Sequence, residues 1–96
     1  MSKTIKEISE IKKSEYESEY KEWCENNPGK IMNGLTSKIL ATQDSEYCNN
    51  IEELDFLIRL YEGKHKFAME KYNVSGWNFA KNAIIDIKET YLNQKL

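Results

Sequence analysis

The sequence predicts an all-α fold, a small bundle of four helices, or five if the third breaks at Gly63. Three observations carry this expectation. Glycine and proline are scarce, 4 and 1 in 96 residues, so turns are few and elements are long. Apolar residues recur at spacings of three and four along most of the chain, the period of a helix with one buried face. Hydrophobic residues make up 40% and charged residues 31%, with 6 Tyr, 3 Phe and 2 Trp, which is too aromatic for a disordered chain and suits helices with solvated outer faces. Residues 1–96 fit a single domain with one modest core.

A first helix is expected over 3–26, where Ile5, Ile8, Ile11, Tyr16, Tyr20 and Trp23 recur at near-helical spacing. Ser14 and Glu17 have capping-box spacing, so an alternative start at Ser14 would leave residues 1–13 as a flexible charged tail. Asn26-Asn27-Pro28-Gly29 ends the helix, and Pro28 can open the next one at its first position, where a missing N–H costs nothing. The second helix is expected over 29–42 on Ile31, Leu35, Ile39 and Leu40, with Gly34 weakening its middle by roughly 1 kcal/mol relative to Ala. A polar surface loop, 43–50, follows, and Asn50 with Glu53 has capping spacing for the third helix.

The third helix starts at Ile51 with Leu54, Leu57, Ile58 and Tyr61 on one face. Gly63 leaves two readings open: one helix through to Tyr72, or a break giving helices at 51–62 and 65–72. The last helix, 76–93, carries a continuous stripe of Trp77, Ala80, Ile84, Ile87 and Tyr91, widened by Phe79 and Ala83.

The segment 68–84 resembles a helix-turn-helix in outline, giving a helix-turn-helix-like corner at 65–93. Asn73 sits where a tight turn wants φ > 0, Val74 follows as a buried plug, and Ser75 can cap the next helix. Ala68 and Tyr72 would face inward on the first helix and Phe79 on the second. Met69 falls where such a motif prefers a small residue, and Asn82 where it prefers a buried aliphatic one. If the corner binds DNA, Asn78, Lys81 and Asn82 face the bases, with Lys64, Lys66 and Lys71 on phosphates. The reading helix then offers few cations, although phosphate contacts normally supply much of the affinity. The bland alternative is a helical corner that packs Trp77 into the core.

Net charge is −2, which gives no general pull toward nucleic acid or an anionic membrane. The acidic excess lies in the first half: residues 1–50 carry 7 Lys against 9 acids, while 51–96 carry 7 basic and 7 acidic groups. Arg59 is the only arginine among 14 basic residues. Abundant Lys, Asn and Ile suggest AT-rich coding, as in low-GC bacteria and their phages or plasmids. No apolar run approaches the ~18 residues of a membrane span, and MSKTIKEISE lacks the apolar stretch of a signal peptide. Cytoplasmic residence is expected, in the producing cell or an infected host, so the sequon at Asn73-Val74-Ser75 reads as chance.

A second constellation lies on the first helix. Tyr16, Tyr20 and Trp23 form an aromatic stripe, and Glu15, Glu19 and Glu22 line the adjoining face. Aromatic anchors bordered by acids suit a protein-binding or dimerisation face. The same aromatics could instead dock the helix onto its own bundle, because so short a chain needs them for its core.

Chemistry is sparsely supported. Glu62 and His65 have the Glu-x-x-His spacing of carboxylate-bridged metal sites, but His65 is the only histidine and Gly63 lies between them, so no metal or other cofactor is expected. Cys24 and Cys48 form no CxxC pair, and no nucleophile elbow or phosphate-binding glycine loop is present, so no catalytic residue is assigned. The expectation is a small non-enzymatic regulatory protein, an inhibitor, adaptor or accessory factor that acts by binding a protein partner. The alternative is a helix-turn-helix transcriptional regulator, dimeric through its N-terminal helices.

Overall fold

Residues 2–30 and 33–94 are described by a computed structural model, and their secondary structure consists of four helices: α1 (Ile5–Asn26), α2 (Asn33–Ser45), α3 (Ile51–Tyr72) and α4 (Gly76–Asn93). Ile31, expected on the second helix, lies outside the described residues. The bundle is all-α, and no helix in it is long and apolar enough to cross a membrane.

The N-cap of helix α1, Thr4, lies ten residues before the alternative start at Ser14. Thr4 and Glu7 form the capping box: the Thr4 hydroxyl accepts the Glu7 N–H at 3.1 Å, and the Glu7 carboxylate accepts the Thr4 N–H at 3.2 Å. The earlier cap prevails because it lets Ile5 and Ile8 bury. Residues 5–13, read alternatively as a tail, are therefore helical, and Ser9 is buried among them. Ile11, placed on the inward stripe by sequence, is exposed; Ser9 takes that place because it lies seven residues, two turns, before Tyr16.

Pro28 lies in the turn after α1, not in the first position of α2. Helix α2 then runs on through Ser45, so the loop expected from Gln43 shrinks to 46–50. Its inward face is Leu35, Ala41, Thr42 and Ser45, while Leu40 is exposed. Gly34 has a specific use: a Cβ there would come within 3.3 Å of the Phe79 ring, which packs across it. Helices α1 and α2 run antiparallel, since Ser9 meets Ser45 at 2.7 Å and the Lys38 ammonium stands 5.2 Å from the Tyr16 ring centroid.

Helix α3 continues unbroken through Gly63, so the bundle has four helices and not five. Asn50 caps it, accepting the Glu53 N–H at 2.9 Å. At the other end Asn73 adopts the left-handed conformation (φ 53°, ψ 44°) and its N–H donates to Met69 O at 3.2 Å. Ser75 precedes α4, but its side chain makes no capping bond, and Val74 is 48% exposed where a buried plug was expected.

The reason is the angle between α3 and α4. Lys88 Nζ lies 2.6 Å from Asp55 Oδ1. At 1.5 Å per residue Asp55 stands about 27 Å and Lys88 about 18 Å from the turn along their helices. At the crossing of a helix-turn-helix, roughly 90–120°, they would be more than about 20 Å apart. That exceeds the reach of one lysine and one aspartate, so α3 and α4 form an antiparallel hairpin. The link 73–75 sits at the end of that hairpin, which leaves Val74 in solvent, and the helix-turn-helix-like corner at 65–93 is corrected to a hairpin.

Helix α4 is the common partner. It packs on α1, α2 and α3, with Ala80, Ala83, Ile84 and Ile87 fully buried, and α1 also packs on α2. Gly76 allows close approach to α2, since a Cβ there would come within 3.3 Å of the Ser37 hydroxyl. Helix α3 contributes Leu54 and Tyr61 to the core but packs along its length on α4, with the Tyr61 hydroxyl reaching the Asp44 carboxylate at the end of α2.

Candidate interaction surface

The aromatic stripe of α1 is divided by the fold. Tyr16 is buried in the core, and Tyr20 packs against the core with its phenol raised above the ordinary value, first by a hydrogen bond with Cys24. Trp23 is half-buried beside the C-cap, where Asn27 donates to its carbonyl at 2.9 Å. Glu15, Glu19 and Glu22 are exposed. Tyr16 and Tyr20 thus serve to dock α1, and of this set the carboxylates are what a partner would meet.

The residues expected on DNA differ in their exposure and contacts. Asn78 and Lys81 are half-buried, while Asn82 is exposed. Lys64 Nζ stands 4.7 Å from the Trp77 ring centroid, and Lys71 Nζ 5.5 Å from that of Phe67. Lys66 is exposed on α3. Trp77 itself is half-buried and stacked on Tyr61, centroids 5.6 Å apart, closing the core at the hairpin end.

A different surface stands out on α3. Phe56, Leu60 and Phe67 are 63%, 45% and 56% exposed. With Gly63 they fall at steps of four, three and four residues, which places all four on one side of the helix. The inward side of α3, Leu54, Tyr61 and Ala68, points elsewhere. Helix α3 is therefore apolar on two faces, and α4 covers one of them. Phe67 carries the Tyr72 ring edge-on at 6.3 Å and the Lys71 ammonium above it. At the N-terminal end of the stripe, Phe56 borders an open depression of about 590 Å³ whose wall includes Leu57, Cys48 and the acids Asp44, Glu52 and Glu53. Among the described residues nothing fills the space above Gly63.

This stripe was missed from sequence because the 54-57-58-61 pattern alone accounts for a buried face. The signal was available: Phe56-x3-Leu60-x2-Gly63-x3-Phe67 is a second helical stripe on the same helix.

The chemical groups are dispersed. Burial raises the Cys48 thiol, with Glu53 and Asp44 adding to the effect, so it is held protonated and away from nucleophilic character. Among the described residues no group of three or more His, Cys, Asp or Glu side chains converges as a metal site, and Nδ1 of His65 is buried without a hydrogen-bond partner. No known protein family, curated protein or solved structure matches this chain.

Proposed function

We propose that the chain is a small non-enzymatic regulatory protein that works by contact with protein, and that the outer stripe of α3 is its contact face. The observation that carries this reading is the solvent-exposed row of Phe56, Leu60 and Phe67 on a helix whose other face already supplies the core. Two exposed phenylalanines and a leucine in line are costly to leave in water, at about 25 cal/mol per Å² of apolar surface, and aromatic anchors of this kind dominate protein interfaces. Charged residues at both ends, Glu52 and Glu53 against Glu70 and Lys71, supply the polar rim. The protein acts in the cytoplasm, where Cys24 and Cys48 remain free thiols. An inhibitor, adaptor or accessory factor of the type carried by phages and mobile elements fits this size and surface.

DNA binding is the weaker reading, because α3 and α4 lie side by side and Lys64 and Lys71 rest on aromatic rings. The test is affinity capture from the producing cell with the tagged chain and with a Phe56→Ser/Phe67→Ser variant. Captured protein, whether a second copy or another chain, should be lost in the variant while its helical circular dichroism is unchanged. Equal capture by both would sink the assignment, and tight, salt-sensitive binding to duplex DNA would favour the alternative.

A further inference from the structure

We infer that the outer face of α3 pairs antiparallel with the same face of a second copy, so that Leu60 of each chain seats over Gly63 of the other. This rests on reading that stripe as a protein-contact face and names its occupant.

Three properties of α3 point to itself as the partner. First, the stripe 56-60-63-67 has steps of four, three and four, which read the same in both directions. Its midpoint, between 61 and 62, is also the midpoint of Ile51–Tyr72, so a two-fold axis there overlays the whole helix on its copy. Phe56 then meets Phe67 of the second copy, and Leu60 meets Gly63 of the second copy. Alternate steps of three and four are the seam spacing of paired helices.

Second, Gly63 meets no neighbour among the described residues. It lies mid-helix, where glycine is unfavourable, and a Cβ there would meet nothing within 4 Å. Opposite Leu60 of a second copy, the missing side chain is a socket that lets the two backbones close.

Third, α3 is electrically polarised. Its first half, 51–61, carries Glu52, Glu53 and Asp55 against Arg59, three acids and one base, net −2; its second half, 62–72, carries Glu62 and Glu70 against Lys64, Lys66 and Lys71, net +1. Antiparallel pairing sets each acidic half on a basic half, whereas parallel pairing would set like on like. The antiparallel register also brings Arg59 close to Lys66 of the second copy, a repulsion that can be converted to attraction.

The test replaces Leu60 with the photoreactive p-benzoyl-phenylalanine and irradiates the chain, purified and in the producing cell. The expected product has twice the chain mass, with position 60 joined to the peptide containing Gly63 of the other copy. Self-adducts at any other segment overturn the antiparallel register. Adducts with a different protein alone overturn self-pairing but leave the stripe as a contact face, and the absence of any protein adduct overturns both. Sedimentation supplies the second arm. Gly63→Glu should weaken association roughly 10-fold or more by placing a charge against an apolar side chain. The folded monomer should melt no lower, because Gly63 faces open space. Lys66→Glu, facing Arg59 of the second copy, should tighten association; weaker or unchanged association would overturn the register.

Discussion

The hydroxyls of Ser9 and Ser45 meet at 2.7 Å at a point where neither residue reaches solvent, and Ser45 also donates to Thr42 O at 2.9 Å. Ser45 has one proton, so Ser9 is the donor between the two serines. Removing the acceptor should therefore hurt more than removing the donor. Ser45→Ala leaves the Ser9 hydroxyl orphaned in the core and should cost about 1–3 kcal/mol, whereas Ser9→Ala should cost less and the double variant less than the sum. Urea melts of the four proteins give the comparison; equal single losses that simply add would refute the assigned proton.

Tyr61 predicts an alkaline limit to stability. Burial first, then its hydrogen bond to Asp44, raise its phenol well above the ordinary value of 10.0, and burial also raises Tyr16. Below pH 10 these groups are neutral in both states, so their contribution is fully present. Above it the unfolded phenols ionise while the folded ones keep their protons, and stability falls as pH rises toward the raised values. Tyr61→Phe should lose roughly 1–2 kcal/mol at pH 7 and show a shallower decline above pH 10. A decline of unchanged steepness would remove Tyr61 as its source.

Gly63→Ala should stabilise the monomer. The site is helical and exposed with open space around it, so the gain is the propensity difference of roughly 0.8–1 kcal/mol, or about 4–8 °C in Tm for a domain of this size. Calorimetry at a concentration where the chain is monomeric measures it. A lower Tm would mean that the glycine is required within the fold.

Asp55 and Lys88 test the hairpin. Both side chains are about one-third exposed, so a double-mutant cycle with Asp55→Asn and Lys88→Gln should give a coupling of about 0.2–1 kcal/mol that shrinks with added salt. Zero coupling at low salt would mean the far ends of α3 and α4 are apart.

What was legible in the sequence follows the reach of the interactions concerned. The stripe of α4 and the left-handed turn at Asn73 depend on neighbours a few residues away, and both are present, except that Phe79, expected to widen the stripe, is exposed. Gly63 did not break α3 because one exposed glycine costs less than the anchoring of Leu54, Tyr61 and Ala68 along the same helix. The start of α1 was ambiguous because the apolar period reaches back to Ile5 while Ser14 and Glu17 offer a later cap, and burial of Ile5 and Ile8 decides for the earlier start. The inward serines and threonine were missed because a polar residue enters a core only with a partner, and Ser9 finds Ser45 36 residues away. The angle at the turn was misread for the same reason: local residues shape Asn73, but contacts 33 residues apart set how α3 lies on α4.

Because α1, α2 and α4 touch one another in a closed triangle while α3 is fastened chiefly to α4, the fold has a hinged leaf on a three-sided post. Swinging that leaf open breaks the Tyr61 and Asp55 links and the Trp77 stack but leaves the triangle standing. Amide protons of α3 should then exchange with solvent through a smaller opening than those of α4, and a partner that clamps the leaf shut would slow their exchange.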